Sequence, residues 1–165
     1  MSLRFVADWD RIELVRRAVC DSADAVFADE CFKDAIGMVA SELLENAVKY
    51  GANDALVEIS VIRSLDDGSD VVEVVVTNEV KAASPSVDAL RARIAWLRSF
   101  EDPVEAYAAA LLSAVEDGSE GGLGLVRVAH EGRATLECDV SQAGRVRVAA
   151  TCPTPPWEAR GANAS

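Results

Sequence analysis

Residues 30–50 carry the strongest helical pattern in the sequence, and this pattern limits how the rest of the chain can be arranged. Gly51 follows directly, and a glycine just past the last helical position is a common end signal. We therefore predict one long helix with an apolar face turned toward a second layer of the fold. The apolar side chains recur at the three- and four-residue spacing of one helix face, at Phe32, Ala35, Ile36, Val39, Leu43 and Ala47.

Segments of strand and helix period alternate on both sides of this helix. This order predicts an α+β fold, a two-layer sandwich with a mostly antiparallel mixed sheet and helices on one face. We expect one domain over residues 1–152 and a disordered tail over residues 153–165. The predicted elements are strands at 3–7, 55–63 and 70–77, helices at 9–20 and 125–130, two helices within 82–117 that begin at Pro85 and Pro103, and a hairpin at 134–140 and 145–152.

The balance of charge limits the ligands of the chain. Sixteen Lys and Arg side chains stand against 28 Asp and Glu side chains, which gives a formal net charge of −12 at pH 7. Because phosphate backbones are bound by clustered cations, this balance argues against nucleic acid and anionic membranes as partners. It leaves room for one small phosphorylated ligand in a local site. The longest apolar run, residues 106–112, is far too short to span a membrane, so we expect a soluble cytoplasmic protein.

The first motif that could carry chemistry is Ser-Glu-Leu-Leu-Glu-Asn-Ala-Val-Lys-Tyr-Gly at residues 41–51. At about 100° per residue, Glu42 and Asn46 lie about 40° apart, one turn along the same helix edge. Asn46 falls within the apolar arc, so its amide must find a polar partner. Two interpretations stay open. In the first, the Asn46 side chain binds a nearby backbone group and Glu42 is solvated. In the second, the side-chain oxygens of Glu42 and Asn46 converge on a divalent cation such as Mg²⁺ or on an activated hydroxyl.

The second motif is the glycine-rich segment Gly-Ser-Glu-Gly-Gly-Leu-Gly at residues 118–124, directly before a predicted helix. Glycines let the backbone approach an anion closely, and a helix start presents unpaired N–H groups. Surface loops also collect glycines, so the segment alone is a weak signal. It lacks the Lys-Ser/Thr ending of a P-loop and follows no strand of a βαβ unit, so neither of those phosphate motifs applies.

Taken in order, the two motifs resemble the ATP-binding boxes of the GHKL superfamily over residues 30–150. That superfamily includes histidine-kinase catalytic domains, gyrase-type ATPases and anti-sigma-factor serine kinases. Because the sequence shows no separate histidine-bearing dimerisation hairpin, it is most similar to the small stand-alone serine kinases. The resemblance implies a Bergerat-type ATP-binding fold that uses ATP and Mg²⁺.

The resemblance also implies roles for individual residues. Asn46 would be the Mg²⁺ ligand, and Glu42 would be the base that orients or deprotonates the attacking hydroxyl. Lys49 occupies a position where the family often has a cation near phosphate. The backbone amides of the glycine loop would meet the β- and γ-phosphates, at Gly121, Gly122, Leu123 and Gly124.

The sequence departs from the family pattern at the adenine-binding box, which has the form Asp-x-Gly. Asn78 stands where the aspartate is expected, and Val80 stands where the glycine is expected. Asn78 would accept a hydrogen bond from adenine less strongly than a carboxylate, and Val80 would crowd the base. Residues 82–117 are mostly helix-forming, unlike a flexible ATP lid. In this respect the chain resembles compact SiaB-like serine kinases, which act on a small antagonist-type partner.

These observations give a leading function and an alternative. The leading one is an ATP-binding protein serine/threonine kinase of the anti-sigma-factor type, acting on an antagonist-type or sigma-factor-like partner. The alternative is a nucleotide-deficient relative that regulates its partner by binding alone, and a third, weaker option is an ATP hydrolase. An exposed edge strand at residues 3–7 would allow a homodimer to form by strand pairing.

Overall fold

The computed structural model describes residues 1–6, 8–51, 56–66, 69–80, 85–117, 122–141 and 144–155. Within these ranges the chain forms helices and strands in the order that the sequence predicts. In chain order the elements are β1 (Ser2–Val6), α1 (Trp9–Asp24), α2 (Glu30–Tyr50), β2 (Leu56–Asp66), β3 (Ser69–Glu79), α3 (Pro85–Arg98), α4 (Pro103–Asp117), α5 (Gly124–Glu131), β4 (Thr135–Val140) and β5 (Arg145–Pro153).

The five described strands form one sheet in the order β1-β2-β3-β5-β4. Every described strand pair is antiparallel, whereas the sequence predicted a mostly antiparallel mixed sheet. Helices α3, α4 and α5 come between β3 and β5 in the sequence, yet β3 pairs with β5 in antiparallel register, with Val76 opposite Val148. Along β3, Val72, Val74 and Val76 are buried while the residues between them are only partly so, which gives the sheet one core face.

Helix α2 packs on this face against β2, β3 and β5, and α1 packs on α2. The side-chain oxygen of Asp29 accepts a hydrogen bond from the Phe32 N–H at 2.7 Å and caps the start of α2. At the other end, the Gly51 N–H donates to the Ala47 carbonyl at 2.9 Å. The predicted α+β architecture, with the long helix 30–50 at its centre, is therefore confirmed.

Most differences from the predicted elements are at their ends. Helix α1 continues four residues beyond the predicted end, to Asp24, because Val19 and Ala23 extend its buried face. Strand β5 continues to Pro153, which pairs with Val71, so residue 153 belongs to the sheet and not to the predicted tail. Residues 156–165 of that tail lie outside the described residues.

Two predictions concern the surroundings of the protein. None of the helices in the described part of the chain combines the length and apolar character that a membrane crossing requires. Strand β1 lies at an edge of the sheet, where the sequence placed it, with β2 as its one described neighbour. A homodimer formed through that edge stays a prediction.

Candidate active site

An open cleft of about 900 Å³ lies beside the C-terminal half of α2. Its walls come from α2, α3, α4 and the start of α5, with Trp9 at one side. Gly121 lies outside the described residues, and Asn78 lines a second, small cavity that shares Asn46, Tyr50, Ser86 and Leu90 with the cleft. The structure brings the other six predicted site residues together in the cleft: Glu42, Asn46, Lys49, Gly122, Leu123 and Gly124.

Glu42 is the central acidic group of the cleft. Its side chain is only 14% exposed, and its Oε1 accepts a hydrogen bond from Arg127 Nη1 at 2.7 Å. Its Oε2 lies so close to the Gly124 Cα that a Cβ at Gly124 would overlap it. The carboxylate is therefore held at the N-terminal end of α5, where helix N–H groups favour negative charge. The interpretation in which Glu42 is simply solvated is wrong.

Two opposing effects set the pKa of Glu42. Burial is the larger and raises the pKa above its ordinary value, because the charged form is poorly solvated there. The nearby Arg127 lowers the pKa in part, and the charges of Glu45 and Glu131 raise it further. A carboxyl group with a raised pKa is a better proton acceptor once it is ionised, as general-base catalysis requires.

Asn46 lies one turn further along α2 and is partly buried. Its Nδ2 donates to the Glu42 carbonyl at 2.9 Å, so the side-chain oxygen is the atom left for a ligand. No group of three His, Cys, Asp or Glu side chains in the described ranges could hold a metal ion. Mg²⁺ would fit here only with most of its ligands from phosphate oxygens and water, and one oxygen from Asn46, which is a common arrangement for Mg²⁺.

The described part of the glycine loop leads straight into α5. Gly122 has a φ of +96°, a conformation that side chains other than glycine rarely adopt. Leu123 stands at the N-cap of α5 and provides no side-chain hydrogen bond to the first turn. The early N–H groups of α5 thus lack a side-chain cap and lie next to the cleft, where an anion would satisfy them.

Asn78 has a structural partner on α2. It is buried, and its Nδ2 donates to the Ala47 carbonyl at 3.3 Å, beside the Gly51 N–H that uses the same oxygen. An ionised aspartate could not make this bond, because it has no donor. The amide therefore joins β3 to the last turn of α2.

The cavity next to Asn78 is small. It measures about 20 Å³, which is room for about one water molecule, and apolar side chains form most of its wall. Val80 and Leu90 are among them. This space is smaller than an adenine ring, so the structure has no room for a base directly beside Asn78.

Sequence reasoning missed two arginines of the cleft. Arg127, on α5, is outside the predicted site, yet it pairs with both Glu42 and Glu131. Arg93, on α3, is partly buried and donates from Nη2 to the Gly122 carbonyl at 3.1 Å. A signal for Arg127 was its place one turn into the helix that follows the glycines, whereas nothing in the spacing of α3 indicated Arg93.

Comparisons with known proteins bear on the fold. No family model matches the sequence, and no curated protein is similar enough to it to count as a relative. The crystal structure of the SiaB–SiaC complex from Pseudomonas aeruginosa contains a chain with the same fold, with a TM-score of 0.65 at 20% sequence identity. The match covers 92% of this chain and 89% of that chain. The fold is therefore SiaB-like, whereas membership of the GHKL superfamily stays a prediction.

Proposed function

We propose that this chain is an ATP-dependent serine/threonine kinase of the anti-sigma-factor type, which regulates a small partner protein in a bacterium. One observation carries the proposal. The Glu42 carboxylate lies against Gly124 at the start of α5, in the same cleft as Asn46 and the described part of the glycine loop. A candidate base, a candidate metal ligand and candidate phosphate-binding amides thus face one space.

The chemistry follows from what each group can do. The Glu42 carboxylate would accept the proton of a serine or threonine hydroxyl on the partner as that oxygen forms a bond to phosphorus. The Asn46 oxygen would bind Mg²⁺, and the amides at Gly122–Gly124 would donate to phosphate oxygens. The phosphoryl group would come from ATP, whose bond between the γ-phosphorus and the β–γ bridging oxygen would break so that ADP leaves. Phosphoryl transfer depends mainly on such positioning and charge neutralisation.

The structural comparison supports a protein as the partner of this chain. The SiaB-like neighbour was solved as a complex with SiaC. A net charge of −12 disfavours nucleic acid and anionic membranes as partners, and it favours a protein whose contact surface is less acidic.

The test combines nucleotide binding with phosphoryl transfer. Titration with Mg-ATP measures binding, and incubation with γ-labelled ATP and co-purifying proteins measures transfer to serine or threonine, located by mass spectrometry. We expect Glu42→Gln to abolish transfer while leaving the fold intact. Asp34→Asn is the matched control, because it removes one negative charge from an exposed position of the same helix. Equal loss in both variants, or no loss in Glu42→Gln, contradicts the assignment of Glu42.

A second candidate is a regulator that captures its partner without nucleotide. It is favoured by the small cavity beside Asn78, which leaves no space for adenine. It predicts that partner binding is unchanged by Mg-ATP and by the double variant Glu42→Ala, Asn46→Ala. Transfer of label to the partner would contradict this candidate.

A further inference from the structure

The two halves of the candidate nucleotide site are unequal in the structure. The cavity beside Asn78 holds about 20 Å³, whereas the cleft beside Glu42 holds about 900 Å³. The small cavity is lined mostly by apolar side chains, and Asn78 already uses its amide N–H₂ group on the Ala47 carbonyl. A nucleobase would find neither space nor a free charged acceptor there. A phosphate chain would find an open volume.

The open cleft also contains a cation without a carboxylate partner in the described part of the chain. The Arg93 guanidinium lies 4.3 Å from the centre of the Trp96 ring and donates one bond to the Gly122 carbonyl. Its Nε is buried and has no hydrogen-bond partner among the described residues. Burial lowers the pKa of Arg93, since its charge is poorly solvated. Such a group gains when an anion reaches it.

Lys49 adds a second positive charge to the same cleft. Its side chain is exposed, and its ammonium lies 5.2 Å from the centre of the Tyr50 ring. The third cation, Arg127, differs because Glu42 and Glu131 already neutralise it. In a chain with a net charge of −12, two cations that line one cleft without a described acidic partner are unusual.

We propose that the cleft recognises the phosphate chain of a nucleoside triphosphate through Arg93 and Lys49, and that it discriminates little between nucleobases. The inference rests on the proposed function in that the ligand is a nucleotide, but it assigns the recognition to the phosphates. Inorganic tripolyphosphate with Mg²⁺ should then bind nearly as tightly as Mg-ATP or Mg-GTP.

Isothermal titration calorimetry of the full chain with these three ligands tests the proposal. We expect the three dissociation constants to agree within about threefold, a small difference on the scale of one charge-assisted hydrogen bond. Arg93→Gln should weaken all three by about tenfold or more and by a similar factor. Arg91→Gln is the control, because Arg91 lies exposed on the same helix and lines no part of the cleft. If Arg93→Gln does not fold, Lys49→Gln at its exposed position serves in its place and should weaken all three in the same way.

The possible outcomes separate this inference from the proposed function. Binding of Mg-ATP at least tenfold tighter than tripolyphosphate and Mg-GTP overturns the inference and leaves the kinase proposal in place. If tripolyphosphate binds but neither Mg-ATP nor Mg-GTP does, both the inference and the kinase proposal are overturned, because the cleft then rejects nucleotides. The absence of binding at millimolar concentration for all three overturns both. A similar loss in Arg91→Gln and Arg93→Gln also overturns the inference, because it indicates a general charge effect.

Discussion

Arg127 Nη1 donates to Glu42 Oε1 at 2.7 Å, across 85 positions of sequence. This ion pair joins the middle of α2 to the first turns of α5, and Glu131 holds the other side of the guanidinium. The pair has a consequence for chemistry, since a base in contact with a cation is less basic than burial alone would make it. Arg127 is therefore a positioning residue that also sets the proton affinity of Glu42.

Replacing Arg127 by glutamine tests this relationship through its pH dependence. Arg127 lowers the pKa of Glu42, so Arg127→Gln should raise that pKa further and move the acid limb of any phosphoryl transfer to higher pH. A group whose pKa is raised in the folded state contributes stability below its ordinary pKa, and this contribution is lost as pH rises through the raised value. The variant should therefore have a lower free energy of unfolding at pH 8 than at pH 5. We expect a loss of about 1–2 kcal/mol at pH 8 by urea unfolding, and an upward shift of the Glu42 carboxyl titration by NMR.

Arg17→Gln provides the comparison for that experiment. Arg17 pairs with Glu13 on the surface of α1, and hydrogen bonds from Arg16 and Arg17 lower the pKa of Glu13 to about 2. Its removal should leave the pH dependence of stability between pH 5 and pH 8 unchanged, because both partners are exposed and stay ionised in that range. Equal pH profiles for Arg17→Gln and Arg127→Gln would contradict the role given to Arg127.

Asn78→Asp should destabilise the protein rather than restore the family's adenine box. The introduced carboxylate would lose the bond to the Ala47 carbonyl and would face the negative end of the α2 dipole from a buried position. We expect a loss of about 2–3 kcal/mol at pH 7. Burial raises the pKa of such a carboxyl, so stability should return as pH falls through that raised value. Asn78→Leu removes the bond without adding charge, so it should lower the free energy of unfolding by about 1 kcal/mol both at pH 7 and at lower pH. A flat pH profile for Asn78→Asp would show that charge is not the cause.

The fold could be predicted from local patterns because each element carries its own signal. The apolar face of residues 30–50 and the stop at Gly51 correspond directly to α2, which ends at Tyr50. Pro85 and Pro103 begin α3 and α4, as expected for a residue that lacks an N–H and suits the first helical turn. The prediction of a mixed sheet was wrong because it concerns long-range contacts. The antiparallel pairing of β3 with β5 depends on how these strands meet across the intervening helices.

The site was predicted less completely, for a related reason. Spacing along one helix brought Glu42 and Asn46 together, because both lie on the same edge of α2. It gave no information on the partners that arrive from α3 and α5, namely Arg93 and Arg127, which are contacts made by tertiary packing. The role of Asn78 was also hidden, since its donor bond to Ala47 joins residues 31 positions apart.

Gly124→Ala should separate activity from stability. The new Cβ would overlap Oε2 of Glu42, and the carboxylate would have to move because it is the end of a flexible side chain. We expect phosphoryl transfer to fall by about tenfold or more, as displacement of a positioned base does. Stability should change little, because the higher helix propensity of alanine, about 1 kcal/mol, offsets the lost contact.

Gly132→Ala should show the opposite pattern. A Cβ there would meet the Val128 carbonyl and a methyl group of Val39, which are parts of the packed core rather than of the cleft. We expect lower stability by urea unfolding but an unchanged rate for each folded molecule. If Gly124→Ala loses stability and rate together, as a simple packing defect would, then the contact with Glu42 is not the cause.

Val80→Ala should enlarge the small cavity beside Asn78, where the resemblance to the GHKL superfamily would place adenine. Val80 lies in its wall and is partly buried, so loss of its two methyl groups adds space beside Asn78 without removing any polar group. Affinity for Mg-ATP should therefore rise relative to Mg-tripolyphosphate, at a cost of about 1–2 kcal/mol in the free energy of unfolding. Val72→Ala lies on β3 in the core, lines no part of this cavity, and should lower stability without changing the ratio. Calorimetric titration of both variants with both ligands measures that ratio. An unchanged ratio in Val80→Ala would mean that the volume beside Asn78 is not what limits recognition of the base.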